Sequence, residues 1–100
     1  MDPRELTDLA MAVSHRYARE FGIERDEDRY LLKLHEEVGE LTQALMMASG
    51  RARKKGLEPA RLREAVRAEL ADVLCQTLLL ARCHGVDIQD AVADKWLARS

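Results

Sequence analysis

Two short acidic motifs contain the residues of this chain whose types and spacing could do chemistry. Glu36, Glu37 and Glu40 form the first motif, and Glu69 and Asp72 form the second. On a helix, acids three residues apart lie on one face and one turn apart, so each motif can act as a clamp. Sites built only of oxygen ligands suit Mg²⁺ or Mn²⁺. The two motifs together therefore predict a site for a hard divalent cation.

The register of the two motifs strengthens this prediction. If the helices that carry them form an antiparallel hairpin, Glu37 faces Asp72 and Glu40 faces Glu69. These acids also lack basic partners at helical spacing, with Lys33, four residues before Glu37, as the single exception. Carboxylates brought together away from water repel one another unless they are protonated or bridged by cations. A bound cation is the natural counter-charge for such a cluster.

Helical periodicity and helix-capping residues predict the elements that position these acids. Asp2, Asp26 and Asp87 read as N-caps, and Pro3 and Pro59 suit the first turn of a helix. We expect helices over about residues 3–21, 27–49 and 59–84, and a fourth that begins after Asp87 and carries Ile88, Ala91, Val92, Trp96 and Leu97. The predicted fold is all-α, an antiparallel four-helix bundle built around two long helices. Residues 73–83 are apolar almost all round, so we expect an oligomer to complete the bundle and bury them.

Composition bounds the remaining possibilities. The 100 residues predict a single domain over 1–100, and the formal charge of −2 offers no attraction to nucleic acid or to an anionic membrane. No segment resembles a secretory signal or a membrane span, so we expect a cytoplasmic protein. Cys75 and Cys83 lie eight residues apart in an apolar stretch, and we expect both to be buried thiols.

The two motifs, separated by 28 residues, resemble the EExxE…ExxD signature of the MazG-like all-α nucleoside triphosphate pyrophosphohydrolases. The sequence around each motif, residues 31–41 and 69–74, looks like the two core helices of that family. Residues 85–96, which run from Gly85-Val86-Asp87-Ile88 to Lys95-Trp96, look like its last helix. The resemblance covers about residues 27–99.

The resemblance implies an activity and a set of roles. The chain would be a Mg²⁺-dependent enzyme, with Mn²⁺ as a possible substitute, that splits a nucleoside triphosphate into pyrophosphate and a nucleoside monophosphate in nucleotide-pool housecleaning. The implied metal ligands are Glu37, Glu40, Glu69 and Asp72, and the implied phosphate contacts are Lys95 and Lys33. Glu36 would either lie beside the metal ligands or act as the base that orients the attacking water. The expected partners are the nucleotide and further copies of the chain, as a homodimer or homotetramer.

Two other functions stay open from the sequence. The phosphoribosyl-ATP pyrophosphohydrolases of histidine biosynthesis are similarly short and also resemble this chain at Lys33-x-x-Glu36-Glu37 and at the later ExxD. A non-catalytic helical oligomerisation or regulatory module could bind a cation structurally through the same acids. A di-iron carboxylate bundle is disfavoured because none of the three histidines stands in an ExxH relation to a glutamate.

Overall fold

The computed structural model describes residues 1–24 and 26–99, and within them every regular element is a helix. The elements are α1 (Pro3–Phe21), α2 (Glu27–Ala48), α3 (Pro59–Cys83), α4 (Ile88–Lys95) and a short 3₁₀ turn (Leu97–Arg99). The all-α prediction is confirmed, and α1, α2 and α3 match their predicted boundaries to within one residue. No helix in the described part of the chain is long and apolar enough to cross a membrane.

Local side-chain chemistry explains where the helices start and stop. Asp2, Asp26 and Asp87 each accept a hydrogen bond from the backbone N–H three residues further on, which satisfies an otherwise free donor of the first helical turn. Gly22 ends α1 in the left-handed conformation, with φ of 64°, a backbone region that glycine enters without steric cost. These signals are local, which is why they could be read from the sequence.

Helices α2 and α3 form the predicted antiparallel hairpin. At its open end, His84 Nε2 at the C-cap of α3 lies 3.1 Å from Glu27 Oε1 in the first turn of α2. The most buried apolar side chains belong to these two helices: Tyr30, Ala44, Leu62, Leu78 and Leu79. The hairpin is therefore the rigid frame on which both acidic motifs sit.

Helix α1 packs in an antiparallel orientation along the C-terminal half of α3. Arg82 of α3 donates to Asp8 of α1 at 2.7 Å. One turn earlier on α1, Arg4 bridges to Asp87 and Asp90 at the start of α4. The positions of these ion pairs show the antiparallel register of α1 against α3 and α4, in which the middle of α1 lies beside the central part of α3.

Three local features differ from the sequence-based expectations. Helix α4 ends at Lys95, so Trp96 and Leu97 lie beyond it and are 73% and 64% exposed. The prediction that Cys83 is buried is wrong, because this residue lies in the last turn of α3 on a face that no other helix covers. Cys75, in the middle of α3, is half-buried.

Candidate metal centre

The hairpin brings the two acidic motifs together. Carboxylate oxygens of Glu37, Glu69 and Asp72 all lie within 4.8 Å of one another, and those of Glu36, Glu37 and Glu40 do so as well. Glu37 belongs to both triads and therefore stands at the centre of the cluster. Two sets of acids with 28 residues between them in the chain converge because α2 and α3 are antiparallel with the register that the sequence predicted.

Burial makes this cluster different from an exposed acidic patch. Glu37 is only 5% exposed, and its Oε2 is a buried oxygen without a hydrogen-bond partner among the described residues. Glu69 Oε2 is also a buried oxygen without a hydrogen-bond partner among the described residues. A buried carboxylate oxygen that no donor or cation satisfies is costly. These oxygens are grouped with further carboxylate oxygens, and such a donor set fits a hard divalent cation.

Among the described residues, Lys33 is the basic group that pairs with the cluster. Its Nζ lies 3.3 Å from Glu36 Oε1 and 3.3 Å from Glu37 Oε1. Burial lowers the pKa of Lys33, but its hydrogen bonds to these two carboxylates outweigh that effect and the pKa is raised above its ordinary value. Lys33 thus stays charged and neutralises one oxygen of Glu37, while Oε2 of the same carboxylate is left without a partner.

The electrostatics favour protonation or a cation at two of the acids. Burial raises the pKa of Glu37, and the charges of Glu40 and Asp72 raise it further against the opposing effect of Lys33. Burial is also the largest cause of the raised pKa of Glu69, followed by the same two neighbouring acids. A raised acid pKa means that the negative form is held unfavourably. A divalent cation would remove this penalty.

A cleft of about 870 Å³ opens beside the cluster, between α1 and the α2–α3 hairpin. Its charged wall is formed by Arg29, Lys33, Glu36, Glu37 and Asp72. Its other wall is mostly apolar and contains Ala10, Val13, Tyr17, Ile23, Leu32, Cys75 and Leu79, together with the polar residues Ser14 and Gln76. The volume falls in the range of pockets that hold a small organic ligand. The cleft therefore offers both charged and apolar surface to a ligand.

The structure places the predicted site residues unequally. Glu36 and Lys33 line the cleft together with two of the four predicted metal ligands, whereas Glu40 and Glu69 belong to the carboxylate triads without lining it. Lys95 is exposed at the C-terminal end of α4 and does not line the cleft of its own chain. The structure thus gathers every predicted site residue except Lys95.

Sequence reasoning did not single out the residues that α1 contributes. Ser14 is 4% exposed, and its Oγ has no hydrogen-bond partner among the described residues. A signal was present, because Ser14 follows Ala10 by four residues and precedes Tyr17 by three, which places a hydroxyl on the apolar stripe of α1. Which surface that stripe faces could not be read from the helix alone.

Comparison with known proteins gives one family. The family model described as the MazG nucleotide pyrophosphohydrolase domain matches residues 25–99, which include both acidic motifs, α2, α3 and α4. Helix α1 lies outside the matched region. A search of curated proteins and a search of solved structures each returned no match.

Proposed function

From the premise that the chain belongs to the MazG nucleotide pyrophosphohydrolase domain family, as the motifs in its sequence predicted, we propose that it is a Mg²⁺-dependent nucleoside triphosphate pyrophosphohydrolase. It would release pyrophosphate and a nucleoside monophosphate, in nucleotide-pool housecleaning in the cytoplasm. The observation that carries the proposal is the buried carboxylate cluster, with unpartnered oxygens on Glu37 and Glu69, beside a cleft of about 870 Å³.

The proposed metal ligands are Glu37, Glu40, Glu69 and Asp72. They are supported by the convergence of both triads on Glu37 and by an all-oxygen donor set, which favours Mg²⁺ and also admits Mn²⁺. When bound, a divalent ion would offset the charge of the triphosphate and polarise the attacking water.

Glu36 and Lys33 would act directly on the reacting groups. Glu36 lines the cleft, its side chain is 56% exposed, and it can accept a proton from a water molecule held beside the phosphates. Lys33 lies between Glu36 and Glu37 and would turn its ammonium group towards a phosphate oxygen once a nucleotide enters. Phosphoryl transfer depends mainly on positioning and charge neutralisation. Glu36 would position the attacking water, and Lys33 would neutralise part of the phosphate charge.

The proposed contact between Lys95 and a phosphate requires more than the cleft of a single chain. Since Lys95 lies outside the cleft of its own chain, the contact would require either a nucleotide that extends towards α4 or the cleft of a second copy.

A homodimer or homotetramer is supported by the apolar side chains that one chain leaves uncovered. Leu9 and Val13 on α1 and Leu70 and Leu74 on α3 are all more than half exposed. Light scattering at micromolar concentration tests this assembly, and a stable monomer would contradict it.

Product analysis tests the proposed reaction. The wild-type chain is incubated with Mg²⁺ and each common ribo- and deoxyribonucleoside triphosphate, and pyrophosphate and orthophosphate are measured separately. We expect pyrophosphate and a monophosphate, whereas a phosphatase would release orthophosphate. Phosphoribosyl-ATP belongs in the same panel, because its preferential hydrolysis would assign the chain to histidine biosynthesis.

Two charge-removing variants connect the reaction to the cluster. Glu40→Gln and Asp72→Asn keep the side-chain shape and remove one negative charge each, so Mg²⁺ affinity and turnover should fall together by orders of magnitude. Glu64→Gln on the exposed surface of α3 is the matched control and should change neither. Full activity of both cluster variants at saturating Mg²⁺ would refute the proposed site. Tight Mg²⁺ binding without hydrolysis of any nucleotide would indicate a structural module instead.

A further inference from the structure

Ser14 on α1 and Gln76 on α3 both line the cleft beside the α1–α3 interface. The ion pair between Asp8 and Arg82 shows the antiparallel register of the two helices. Ser14 lies six residues after Asp8, and Gln76 lies six residues before Arg82, so the two side chains occupy matching positions. The interface therefore places a hydroxyl and a carboxamide together on a wall that is otherwise largely apolar.

Both side chains have a buried oxygen whose hydrogen-bonding capacity is unused. Ser14 Oγ and Gln76 Oε1 are inaccessible to solvent and have no hydrogen-bond partner among the described residues. An unpaired buried polar atom destabilises a fold, and native proteins normally satisfy such atoms. Ser14 is 4% exposed, so bulk water does not supply the missing bond. Because both residues line the cleft, rotation of either side chain would bring its oxygen to a ligand bound there.

The position of this pair relative to the carboxylates indicates which part of a ligand it meets. Gln76 lies one helical turn beyond Asp72 on α3, about 6 Å along the axis, and on the same face. A nucleotide whose phosphates lie at the carboxylates would extend its base along the apolar wall towards Ser14 and Gln76. Val13, Tyr17 and Leu79 on that wall offer the apolar surface that a base requires.

We propose that Ser14 and Gln76 recognise the hydrogen-bonding edge of the base and favour a base whose exocyclic amine stands at the ring position furthest from the sugar, N4 of cytosine or N6 of adenine, where uracil and guanine carry a keto group. The proposal rests on the nucleotide substrate of the proposed function and adds the substrate class. The free atom of Gln76 is a carbonyl oxygen, which can only accept, so it requires a donor from the ligand. The exocyclic group projects furthest from the ring, and an amine donates to this oxygen where a keto group would repel it. The Ser14 hydroxyl can then donate to the neighbouring unprotonated ring nitrogen.

The family match does not assign this role to Ser14, because α1 lies outside the matched residues. The chain also contains a matched control for Gln76. Gln89 on α4 has a buried Oε1 that is equally without a partner among the described residues, but Gln89 does not line the cleft. The two glutamines therefore separate the effect of an unsatisfied amide from the effect of base recognition.

The test measures binding of nucleoside monophosphates by calorimetry in the presence of Mg²⁺, so it does not depend on hydrolysis. Wild type should bind CMP and AMP about tenfold more tightly than UMP and GMP. This factor corresponds to one hydrogen bond that the amine forms and the keto group cannot form. Purine riboside monophosphate, which is AMP without its amine, should bind about tenfold more weakly than AMP. Ser14→Ala and Gln76→Met should reduce the preference to within about threefold, whereas Gln89→Met should keep it.

Stability provides the second readout. Because Ser14→Ala and Gln76→Met remove unsatisfied buried polar atoms, the free protein should unfold at the same or a higher temperature while base discrimination is lost. A structural role would give the opposite result, with lower stability and unchanged discrimination, and would overturn the proposal. Equal binding of all four monophosphates by wild type, or tighter binding of UMP and GMP, would overturn it as well. The proposed function fails separately, if no triphosphate releases pyrophosphate.

Discussion

Glu37→Gln is the most informative single perturbation, because it should change stability in opposite directions with and without Mg²⁺. Glu37 is 5% exposed, lies within 4.8 Å of the carboxylates in both triads, and forms an ion pair with Lys33. Glutamine keeps the size of the side chain and removes its charge. The variant therefore tests whether the cluster is a strained site that a cation relieves.

The magnitude without metal follows from the distances. At an effective dielectric constant of about 20, the half-buried Glu69 within 4.8 Å repels Glu37 by about 3.5 kcal/mol, and the attraction to Lys33 at 3.3 Å is about 5 kcal/mol. The three exposed acids add about 1 kcal/mol each when screened by water. The balance favours a neutral side chain by about 1–2 kcal/mol, in agreement with the raised pKa of Glu37. In a domain of this size that corresponds to an increase in Tm of about 5–15 °C.

With Mg²⁺ the order should reverse. A ligand at one hundred times its Kd stabilises the folded state by about 2.7 kcal/mol, which raises the Tm of wild type by about 10–20 °C. If the variant binds Mg²⁺ about a hundredfold more weakly, the same concentration stabilises it by only about 0.4 kcal/mol. Thermal unfolding followed by circular dichroism, at one protein concentration and with either EDTA or Mg²⁺, measures all four values.

Glu64→Gln is the control for this experiment. Glu64 lies on α3, is 67% exposed and pairs only weakly with Arg67 at 3.8 Å, so its loss should shift stability by less than about 0.5 kcal/mol and leave the Mg²⁺ response intact. If Glu37→Gln is less stable than wild type in EDTA, the carboxylates do not repel one another as the geometry implies. If both proteins gain equally from Mg²⁺, the ion binds elsewhere.

Three further predictions concern the same site. Metal-free wild type should become more stable as the pH falls from 7 to 5, because the raised pKa values of Glu37 and Glu69 make the folded state take up protons before the unfolded state does. The same stability is lost as the pH rises through those folded-state values. Urea unfolding in EDTA at both pH values measures the change, and Glu37→Gln should show a smaller gain. Lys33→Met should bind Mg²⁺ several-fold more tightly in calorimetry, because the ammonium group that competes with the ion is gone. Its kcat/KM for the triphosphate should fall about tenfold. Weaker Mg²⁺ binding would contradict the position assigned to Lys33. Glu36→Gln should lower kcat by about 10²–10⁴ and change the Kd of Mg²⁺ by less than about threefold, and an unchanged kcat would exclude Glu36 as the water-orienting base.

Features that depend on neighbours along the chain were determined by the sequence itself. The N-caps Asp2, Asp26 and Asp87 and the terminating Gly22 act within one helical turn, so they set the helix boundaries whatever the helices pack against. The spacing of the acids within each motif is equally local. A short link between α2 and α3 makes the hairpin antiparallel and determines which residues of the two helices lie opposite each other. The pairing of Glu37 with Asp72 therefore also follows from their positions in the sequence.

Only the tertiary structure decided what the separate helices do to one another. The sequence could not tell that α1 lies along α3 rather than elsewhere, because the ion pair between Asp8 and Arg82 joins residues 74 positions apart. The packing of α1 beside α3 forms the cleft and brings Ser14 and Gln76 into its lining. The burial that raises the pKa of Glu37 is also a product of packing, since five percent exposure depends on atoms from distant parts of the chain. Local propensities therefore fixed which residues could share a face, and long-range packing decided which of those faces became a site.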